Sequence, residues 1–267
     1  MKKIRTGFIG LGSQGGPMAA RIQAAGFPLT VWARRPEAVT PFVGRGATAA
    51  PSIAALGAQC DHIGVCVVDD AGVNDVCEQL IPTMERGSLL AVHSTVLPAV
   101  CERLADRCAR AGLLFLDAPV SGGGAAAEAR KLTVICGGAE EALERARPVL
   151  ASFSHADHVL YLGRAGNGQR GKLINNALFT ATMGLAHAAL AASETLDLDR
   201  AALTTLIQKS SARSLAFDIY ANLPSPSAFD AATRLLVKDV TLLAETLGDD
   251  RDAAVLRAAA GHFLEAN

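Results

Sequence analysis

The sequence predicts an α/β domain with a doubly wound parallel sheet, followed by an all-helical domain. From residue 4 to residue 162, short apolar runs alternate with helix-like stretches, which is the rhythm of repeated β-α-β units. After Gly168 the strand-like runs stop, and the remaining sequence has only helical periodicity. We therefore expect two domains, at residues 1–164 and 165–267, joined by a long interdomain helix.

Several short apolar runs fit the strands of the predicted sheet, because they are rich in β-branched and large aliphatic residues. The predicted strands are Ile4–Ile9, Leu29–Trp32, His62–Val67, Leu89–Val92, Leu113–Leu116, Thr133–Cys136 and Val159–Leu162. The predicted helices between them are Pro17–Ala25, Ala71–Glu85, Pro98–Ala111 and Ala139–Phe153. The second domain is predicted to contain helices at Gln169–Leu196, Arg200–Lys209, Ser227–Leu247 and Asp252–Glu265.

The charge balance argues against nucleic acid and membrane partners. Lys plus Arg number 25 against 26 Asp plus Glu, and the isoelectric point is about 6.6, so no global basic field attracts polyanions. The longest weakly polar run, Ala177–Ala192, contains two threonines and His187, and is too polar for a membrane span. Met1-Lys2-Lys3 leads directly into a strand-like run without a secretory h-region, so we expect a cytoplasmic protein with a small-molecule partner.

The cysteines and histidines show no metal-binding spacing. The six cysteines lack a CxxC pair, and several lie in apolar runs such as Val65-Cys66-Val67, which is typical of buried reduced thiols. The six histidines also lack a paired ligand spacing. We therefore predict no metal site.

A glycine-rich turn follows the first predicted strand. It reads Gly10-Leu11-Gly12-Ser13-Gln14-Gly15 and opens directly into a helix. The glycines allow a tight turn, and a helix N-terminus presents N–H groups and a positive dipole end to a pyrophosphate. The pattern predicts a Rossmann-type dinucleotide site with contacts from Gly10, Leu11, Gly12, Gln14 and Gly15, against the alternative of a purely structural turn.

The end of the second predicted strand indicates which dinucleotide is bound. Arg34 and Arg35 stand where an NAD-binding chain typically places an acid for the ribose 2′-hydroxyl. Guanidinium groups form charge-assisted hydrogen bonds with a 2′-phosphate. We therefore predict NADP(H) in preference to NAD(H), while a solvated arginine loop remains the alternative.

Two further segments suggest substrate binding. Ser121 with the bare amides of Gly122 and Gly123 can hold a carboxylate at the carboxyl edge of the sheet, although a flexible loop is an alternative. Lys172 and Asn176 are four residues apart, so they lie on one helical face and can address one small ligand. A solvated lysine and a polar surface asparagine are the alternative interpretation of this pair.

Together these segments resemble the β-hydroxyacid dehydrogenase family, which includes 3-hydroxyisobutyrate dehydrogenase, tartronate semialdehyde reductase and the succinic and glyoxylic semialdehyde reductases. The matching stretches occur in family order over nearly the whole chain. They are Gly7–Gly12 with Gly16–Ala19, Asp117–Gly123, Gly166–Asn176, and Phe229 through Lys238-Asp239.

The resemblance implies the role of each matching residue. Lys172 would be the catalytic residue, and Ser121, Gly122, Gly123, Asn176 and Asp239 would hold the substrate. Cofactor contacts would come from Val67, Val68, Asp69, Ser94, Thr95 and Lys238. The implied activity is NADP(H)-dependent interconversion of a short 3-hydroxy acid and its semialdehyde, of the 3-hydroxyisobutyrate or tartronate semialdehyde type. The implied protein is a homodimer or homotetramer that takes a small carboxylate-bearing substrate.

The sequence departs from the family pattern beside the predicted substrate loop. Arg130 and Lys131 stand where members commonly have a glycine and a small residue, so these cations either recruit a second anionic group or point to solvent. Two other functions are alternatives on this scaffold. Imine reductases on this scaffold generally replace the catalytic lysine, and a non-catalytic NADP(H)-binding regulatory or assembly protein would be expected to lose it. The presence of Lys172 favours the dehydrogenase over both.

Overall fold

The first part of the chain folds around one sheet. In this computed structural model, which describes residues 3–223 and 230–264, the sheet has nine strands in the order β3-β2-β1-β4-β5-β6-β8-β7, with β9 beside β8. The strands are β1 Thr6–Ile9, β2 Leu29–Trp32, β3 Thr48–Ala49, β4 His62–Val65, β5 Leu89–Val92, β6 Leu114–Asp117, β7 Val120–Ser121, β8 Thr133–Gly138 and β9 Val159–Tyr161.

The predicted doubly wound, parallel-dominated sheet is confirmed, and its last strands differ from a purely parallel arrangement. β3, β2, β1, β4, β5 and β6 pair in parallel, and the strand order reverses at β1, between β2 and β4. β8 pairs antiparallel with β6 and β7. The helix between β7 and β8, α6 Gly123–Glu128, has six residues and rises only about 9 Å. That is shorter than a four-residue strand of about 13 Å, so α6 cannot return the chain for a parallel strand.

Helices cover both faces of the sheet. Phe8 and Ile9 on β1 point to opposite faces, and each belongs to a separate buried apolar cluster. Besides α6, the helices of this part are α1 Gly15–Ala24, α2 Thr40–Val43, α3 Ile53–Gly57, α4 Asp70–Leu80, α5 Pro98–Ala111 and α7 Glu140–Leu150. Residues of α1, α6 and α7 pack in the Phe8 cluster, and residues of α3, α4 and α5 pack in the Ile9 cluster.

The chain divides into two compact units, Met1–Lys172 and Leu173–Asn267. The division falls within α8 Asn167–Thr195, a helix of 29 residues. The other helices of the second unit are α9 Arg200–Lys209, α10 Leu215–Ala221, α11 Asp230–Leu247 and α12 Arg251–Leu264. The helical character predicted after residue 165 is therefore confirmed. The predicted domain boundary between residues 164 and 165 stays a prediction.

The second unit has its own core. Met183 and Leu190 on α8 are buried with Phe217 and Tyr220 on α10 and with Phe263 on α12. The predicted helix at Ser227–Leu247 is observed from Asp230, and residues 227–229 lie outside the described residues, as does Glu265 at the end of the last predicted helix. The short elements β3, β7, α2, α3, α6 and α10 were not predicted, because two to seven residues are too few to show a period.

The cysteines are reduced, and the other potential metal ligands of the described residues do not cluster. All six cysteines are free, five are buried and Cys66 is partly buried, and burial raises the pKa of the Cys60 thiol to about 11. Among the described residues, no group of three or more His, Cys, Asp or Glu side chains lies close enough to hold a metal ion. In the same part of the chain, no helix is long and apolar enough to cross a membrane.

Candidate active site

The glycines of the nucleotide turn, residues 10–15, are required by its geometry. Gly10 has φ +96°, and a Cβ atom there would overlap the carbonyl oxygen of Cys66, the residue after β4. A Cβ at Gly15 would overlap the carbonyl oxygen of Gly10. A Cβ at Gly12 would meet no atom within 4 Å, so Gly12 borders open space. The first and third glycines thus close the turn, and the second leaves room for a ligand.

The helix after the nucleotide turn has an uncapped N-terminus. Gln14 is the N-cap residue of α1, and its side chain makes no capping hydrogen bond. The first turn of α1 contains no acidic residue. The Gly16 N–H donates to the Gly12 carbonyl oxygen at 2.8 Å, and Pro17 has no N–H. No side-chain cap or acidic residue therefore competes with an anion for the positive dipole end at the point where the strand order reverses. These features fit the pyrophosphate of a dinucleotide.

Arg34 and Arg35 follow β2 after Ala33, and both are exposed. The Arg35 side chain is 78 % exposed, and its Nε atom lies 4.0 Å from Oε1 of Glu37. A pair this exposed is weak and competes little with a stronger anion. Both arginines thus lie in an exposed segment after β2, where a phosphate has access to them.

The loops after β4 and β5 are hydrogen-bonded to each other. The Val67 N–H donates to Oγ of Ser94 at 2.8 Å, and the Leu97 N–H donates to Oδ2 of Asp70 at 3.2 Å. Ser94 is buried, so its hydroxyl joins the two loops rather than facing solvent. The Asp69 carboxylate caps α4 by accepting from the Gly72 N–H at 2.8 Å. The exposed surface of this pair of loops is formed partly by Val68, which is 64 % exposed.

The predicted substrate loop is more ordered than a simple loop. Ser121 ends β7, where it pairs with Thr133 of β8. Gly122 and Gly123 are exposed and have φ values of +124° and +74°, a region that favours glycine. A Cβ atom at Gly124 would lie 2.6 Å from the carbonyl oxygen of Ser13 in the nucleotide turn. The segment predicted to bind a carboxylate therefore packs against the segment predicted to bind the dinucleotide.

A buried carboxylate holds the start of α8. Asp117, the last residue of β6, accepts from the Gly166 N–H at 2.8 Å through Oδ1 and from the Gln169 N–H at 2.9 Å through Oδ2. Burial raises the pKa of the Asp117 carboxyl to about 6, and the backbone N–H groups of Gly166, Gln169 and Gly168 oppose that rise by favouring the ionised form. A Cβ at Gly168 would lie 2.7 Å from Oδ2 of Asp117. The glycine spacing at the helix start is thus explained by this close approach.

Gln169 makes a second set of contacts from the same helical turn. Its Nε2 donates to the carbonyl oxygen of Ser94 at 2.9 Å, and its Oε1 accepts from the Val96 N–H at 3.2 Å. Sequence reasoning did not assign a role to Gln169 or Asp117. The glycines at 166 and 168, which signal close backbone packing, were the available clue. Lys172 follows three residues later on α8 and is 7 % exposed.

The second unit brings together its three predicted site residues. Nδ2 of Asn176 on α8 donates to Oδ2 of Asp239 on α11 at 2.6 Å. Nζ of Lys238 lies 2.8 Å from Oδ1 of Asp239, and Asp239 is buried. Nδ2 of Asn175 donates to Oδ1 of Asn176 at 3.1 Å. These contacts fix which way the Asn176 amide points. Phe229, the first residue of the matching stretch, lies outside the described residues.

Arg130 has a local structural contact. It follows α6 with φ +58°, a left-handed conformation that is unfavourable for a residue with a Cβ. Its Nη2 donates to the carbonyl oxygen of Ala151, just after α7, at 2.9 Å. Ala151 is the C-cap residue of α7, so the guanidinium binds a helix C-terminus, where cations are favoured. Lys131 is exposed.

Two protein families match the chain in succession. The NAD-binding domain of 6-phosphogluconate dehydrogenase matches residues 5–163. The domain described as NAD-binding of NADP-dependent 3-hydroxyisobutyrate dehydrogenase matches residues 166–266. Human mitochondrial 3-hydroxyisobutyrate dehydrogenase is 32 % identical over 260 residues, which cover 94 % of this chain and 76 % of the human protein.

The chain belongs to the β-hydroxyacid dehydrogenase family.

Solved structures of other proteins agree with this membership. Mycobacterium tuberculosis 3-hydroxyisobutyrate dehydrogenase with L-serine superposes with a TM-score of 0.89 at 25 % identity, covering 99 % of this chain and 94 % of that one. Psf3 in complex with NADP+ and 2-OPP superposes with a TM-score of 0.82 at 26 % identity, covering 97 % and 92 % of the two chains. This β-hydroxyacid dehydrogenase is therefore an NAD(P)-dependent hydroxyacid dehydrogenase with a nicotinamide cofactor site.

Proposed function

We propose that this dehydrogenase interconverts a short 3-hydroxy acid and its semialdehyde with NADP(H), using Lys172 as general acid and base. The observation that carries the proposal is the placement of Lys172. Lys172 is a buried residue on a helix whose first turn is hydrogen-bonded to the carboxyl ends of β5 and β6. Lysines are rarely buried without a role, so burial at the ligand-binding edge of the sheet favours catalysis.

The proton chemistry follows from the amine. In the reductive direction, the Lys172 ammonium donates a proton to the oxygen of the aldehyde as that oxygen gains negative charge. In the oxidative direction, the neutral amine accepts the proton of the substrate hydroxyl. The nicotinamide cofactor, when bound, supplies or accepts the hydride. Lys172 is the only side chain of the chain that this scheme requires to change its protonation state.

Substrate binding is assigned to two groups of residues. The Ser121 hydroxyl and the N–H groups of Gly122 and Gly123 would hold the carboxylate, because the bare glycine backbone admits an oxygen closely. Asn176 would contact the substrate oxygen, with its amide oriented by Asp239. The relatives support a 3-hydroxy acid as substrate: human 3-hydroxyisobutyrate dehydrogenase is named for one, and the L-serine in the mycobacterial structure carries a hydroxyl on the carbon beta to its carboxylate.

Cofactor binding is assigned to the nucleotide turn and the adjoining loops. The uncapped start of α1 would bind the pyrophosphate, and Arg34 with Arg35 would bind a 2′-phosphate. The loops at Val67, Val68, Asp69, Ser94 and Thr95 would border the nicotinamide, and Lys238 would contact the cofactor from α11. The NADP+ complex of Psf3 supports a phosphorylated dinucleotide. We further propose domains at 1–164 and 165–267, a homodimer or homotetramer, and a cytoplasmic location.

A substrate screen at the nicotinamide absorbance tests this function. We expect oxidation of NADPH with small semialdehydes and reduction of NADP+ with the matching 3-hydroxy acids. Lys172→Ala should abolish turnover while NADPH, followed by its fluorescence, still binds. Lys209→Ala is the matched control, because Lys209 is exposed in the last turn of α9.

Three outcomes would contradict the proposal. Unchanged turnover in Lys172→Ala would remove the assigned catalytic role. Tight NADPH binding without turnover of any hydroxy acid or semialdehyde would favour a non-catalytic binding protein. Turnover of cyclic imines alone would favour an imine reductase.

A further inference from the structure

We propose that Gln169 is a positioning residue for Lys172, fixing the start of α8 to the loop after β5; this rests on the proposed role of Lys172. Gln169 is fully buried, and both ends of its side-chain amide are hydrogen-bonded to backbone. It donates to the Ser94 carbonyl oxygen and accepts from the Val96 N–H. A buried amide with both ends satisfied has a single orientation, because a flip would place its donor against a donor and its acceptor against an acceptor.

The same residue is held a second time through its backbone. The Gln169 N–H donates to Oδ2 of Asp117, at the end of β6. Residue 169 is therefore attached to the ends of two neighbouring strands, β5 by its side chain and β6 by its backbone. Two attachments in different directions restrict both the translation and the rotation of this helical turn. A single cap would restrict only its position.

Lys172 is only three residues from Gln169 on the same helix, so the contacts that fix residue 169 also restrict the position of Lys172. Three residues correspond to a rise of about 4.5 Å and a rotation of about 300° in an α-helix. A small rotation at residue 169 therefore displaces the Lys172 amine directly, with no loop between them to absorb it. A misplacement of about 1 Å at a reacting group can reduce a rate by about 100-fold.

The network also connects Lys172 to the predicted cofactor loops. Ser94, whose carbonyl oxygen binds Gln169, uses its hydroxyl to accept from the Val67 N–H. The path therefore runs from the loop after β4, through Ser94, to Gln169 and then along α8. Its function is to keep the proton-transferring amine in register with the edge of the sheet where the cofactor is expected to bind.

Two substitutions test the role of the amide. Gln169→Met keeps the side-chain length and removes both hydrogen bonds. Gln169→Glu keeps the shape and the acceptor, but as a carboxylate it faces the Ser94 carbonyl oxygen without a proton to donate. When protonated, the glutamic acid regains a donor. We expect kcat to fall by about 10- to 100-fold in both variants, with a much smaller change in KM for the substrate and in the dissociation constant for NADPH.

The pH dependence provides the signature that general destabilisation would not produce. The ratio of kcat in Gln169→Glu to kcat in Gln169→Met should rise as the pH is lowered, because protonation restores the donor in the first variant only. The matched control is Gln23→Met. Gln23 lies at the other end of α1 from the nucleotide turn, and its Nε2 also donates to a backbone carbonyl, that of Phe42 at 3.1 Å. This control should lose stability without a loss of kcat.

A measurement that does not need turnover separates this inference from the proposed function. Reductive methylation of Lys172, followed by peptide mass spectrometry in the folded protein, reports the surroundings of the amine. We expect a changed rate in both Gln169 variants and the wild-type rate in Gln23→Met. Equal rates in all proteins would overturn the inference whatever the turnover. Wild-type kcat in both Gln169 variants would also overturn it, while inactivity of Lys172→Ala would still support the proposed function. If Gln169→Met does not fold, Gln169→Glu alone carries the kcat and methylation tests, and the wild-type protein replaces Gln169→Met in the pH comparison.

Discussion

Gly124 and Ser13 are in direct backbone contact: a Cβ atom at Gly124 would lie 2.6 Å from the carbonyl oxygen of Ser13. Gly124 belongs to α6, the helix that begins at Gly123 of the predicted carboxylate-binding segment, and Ser13 belongs to the nucleotide turn. The two segments predicted to bind substrate and cofactor are thus packed on each other within the first unit. A substitution in one segment should therefore change ligand binding by the other.

We predict that Gly124→Ala weakens NADPH binding although residue 124 has no assigned contact with the cofactor. The new methyl group cannot fit without moving α6 or the nucleotide turn, and overpacking of this kind costs about 1–3 kcal/mol. Fluorescence titration with NADPH should show a raised dissociation constant. The control is Gly44→Ala, because Gly44 has φ −60° and its Cβ would make only ordinary contacts. An equal effect in both variants would refute the coupling.

The arginine pair after β2 gives a prediction about cofactor choice. Arg34→Ala and Arg35→Ala should reduce kcat/KM for NADPH, because a charge-assisted hydrogen bond contributes about 1.5–3 kcal/mol, which corresponds to roughly 10- to 100-fold. The value for NADH should change little, since NADH has no 2′-phosphate. Arg103→Ala, on the exposed side of α5, is the control. An equal fall in kcat/KM for NADPH and NADH would show that the arginines do not recognise the 2′-phosphate.

Part of the fold could be predicted from the sequence, because some helices and strands are marked by the pattern of apolar residues within the element itself. β2, β5 and α5 have their predicted bounds, because each is a strongly apolar or strongly amphipathic run with clear breakers. The nucleotide turn was recognisable because its glycines lie within six residues of each other. By contrast, β7 is two residues long and is defined by its pairing with Thr133 and Val134 of β8. The helix α6 consists mostly of glycine and alanine and shows no period.

The hydrogen bonds that hold α8 were beyond sequence reasoning for a different reason. Asp117 and Gln169 are 52 residues apart, and Ser94 and Gln169 are 75 residues apart. Neither pair has a spacing that any helix or strand would impose. Only the strand order, which sets the ends of β5 and β6 beside each other, brings these groups together.

Two buried histidines predict a loss of stability in mild acid. Burial lowers the pKa of His62 to about 3 and that of His93 to about 4, from an ordinary value of 6.5. Both are neutral in the folded protein, whereas in the unfolded chain they take up a proton below about pH 6.5. Their contribution to stability is therefore complete above pH 6.5 and is lost as the pH falls towards 4. Each histidine should add a slope of about 1.4 kcal/mol per pH unit in this window.

Asp117 acts in the opposite sense. Burial raises its pKa from 3.8 to about 6, so its contribution is complete below pH 3.8 and is lost as the pH rises through 6. Between pH 4 and 6 it offsets part of the histidine effect.

Urea unfolding at several pH values separates these contributions. His62→Leu should flatten the dependence of the unfolding free energy on pH between 4 and 6.5, because it removes one of the two titrating imidazoles. His262→Asn, at an exposed position on α12, should leave the slope unchanged. Identical slopes in His62→Leu and the wild-type protein would contradict the assignment.

The contacts of Arg130 predict that it acts on stability and not on the substrate. The residue combines a left-handed backbone, φ +58°, with a hydrogen bond to the Ala151 carbonyl oxygen. Arg130→Ala removes the hydrogen bond and keeps the backbone strain, so it should be destabilising. Arg130→Gly removes both, and should be more stable than Arg130→Ala by about 1–2 kcal/mol, the cost of the left-handed conformation for a residue with a Cβ.

Because the guanidinium is bound at the end of α7, KM for the substrate should be unchanged in both variants. A large rise in KM that is the same in Arg130→Ala and Arg130→Gly would show instead that the guanidinium reaches the substrate.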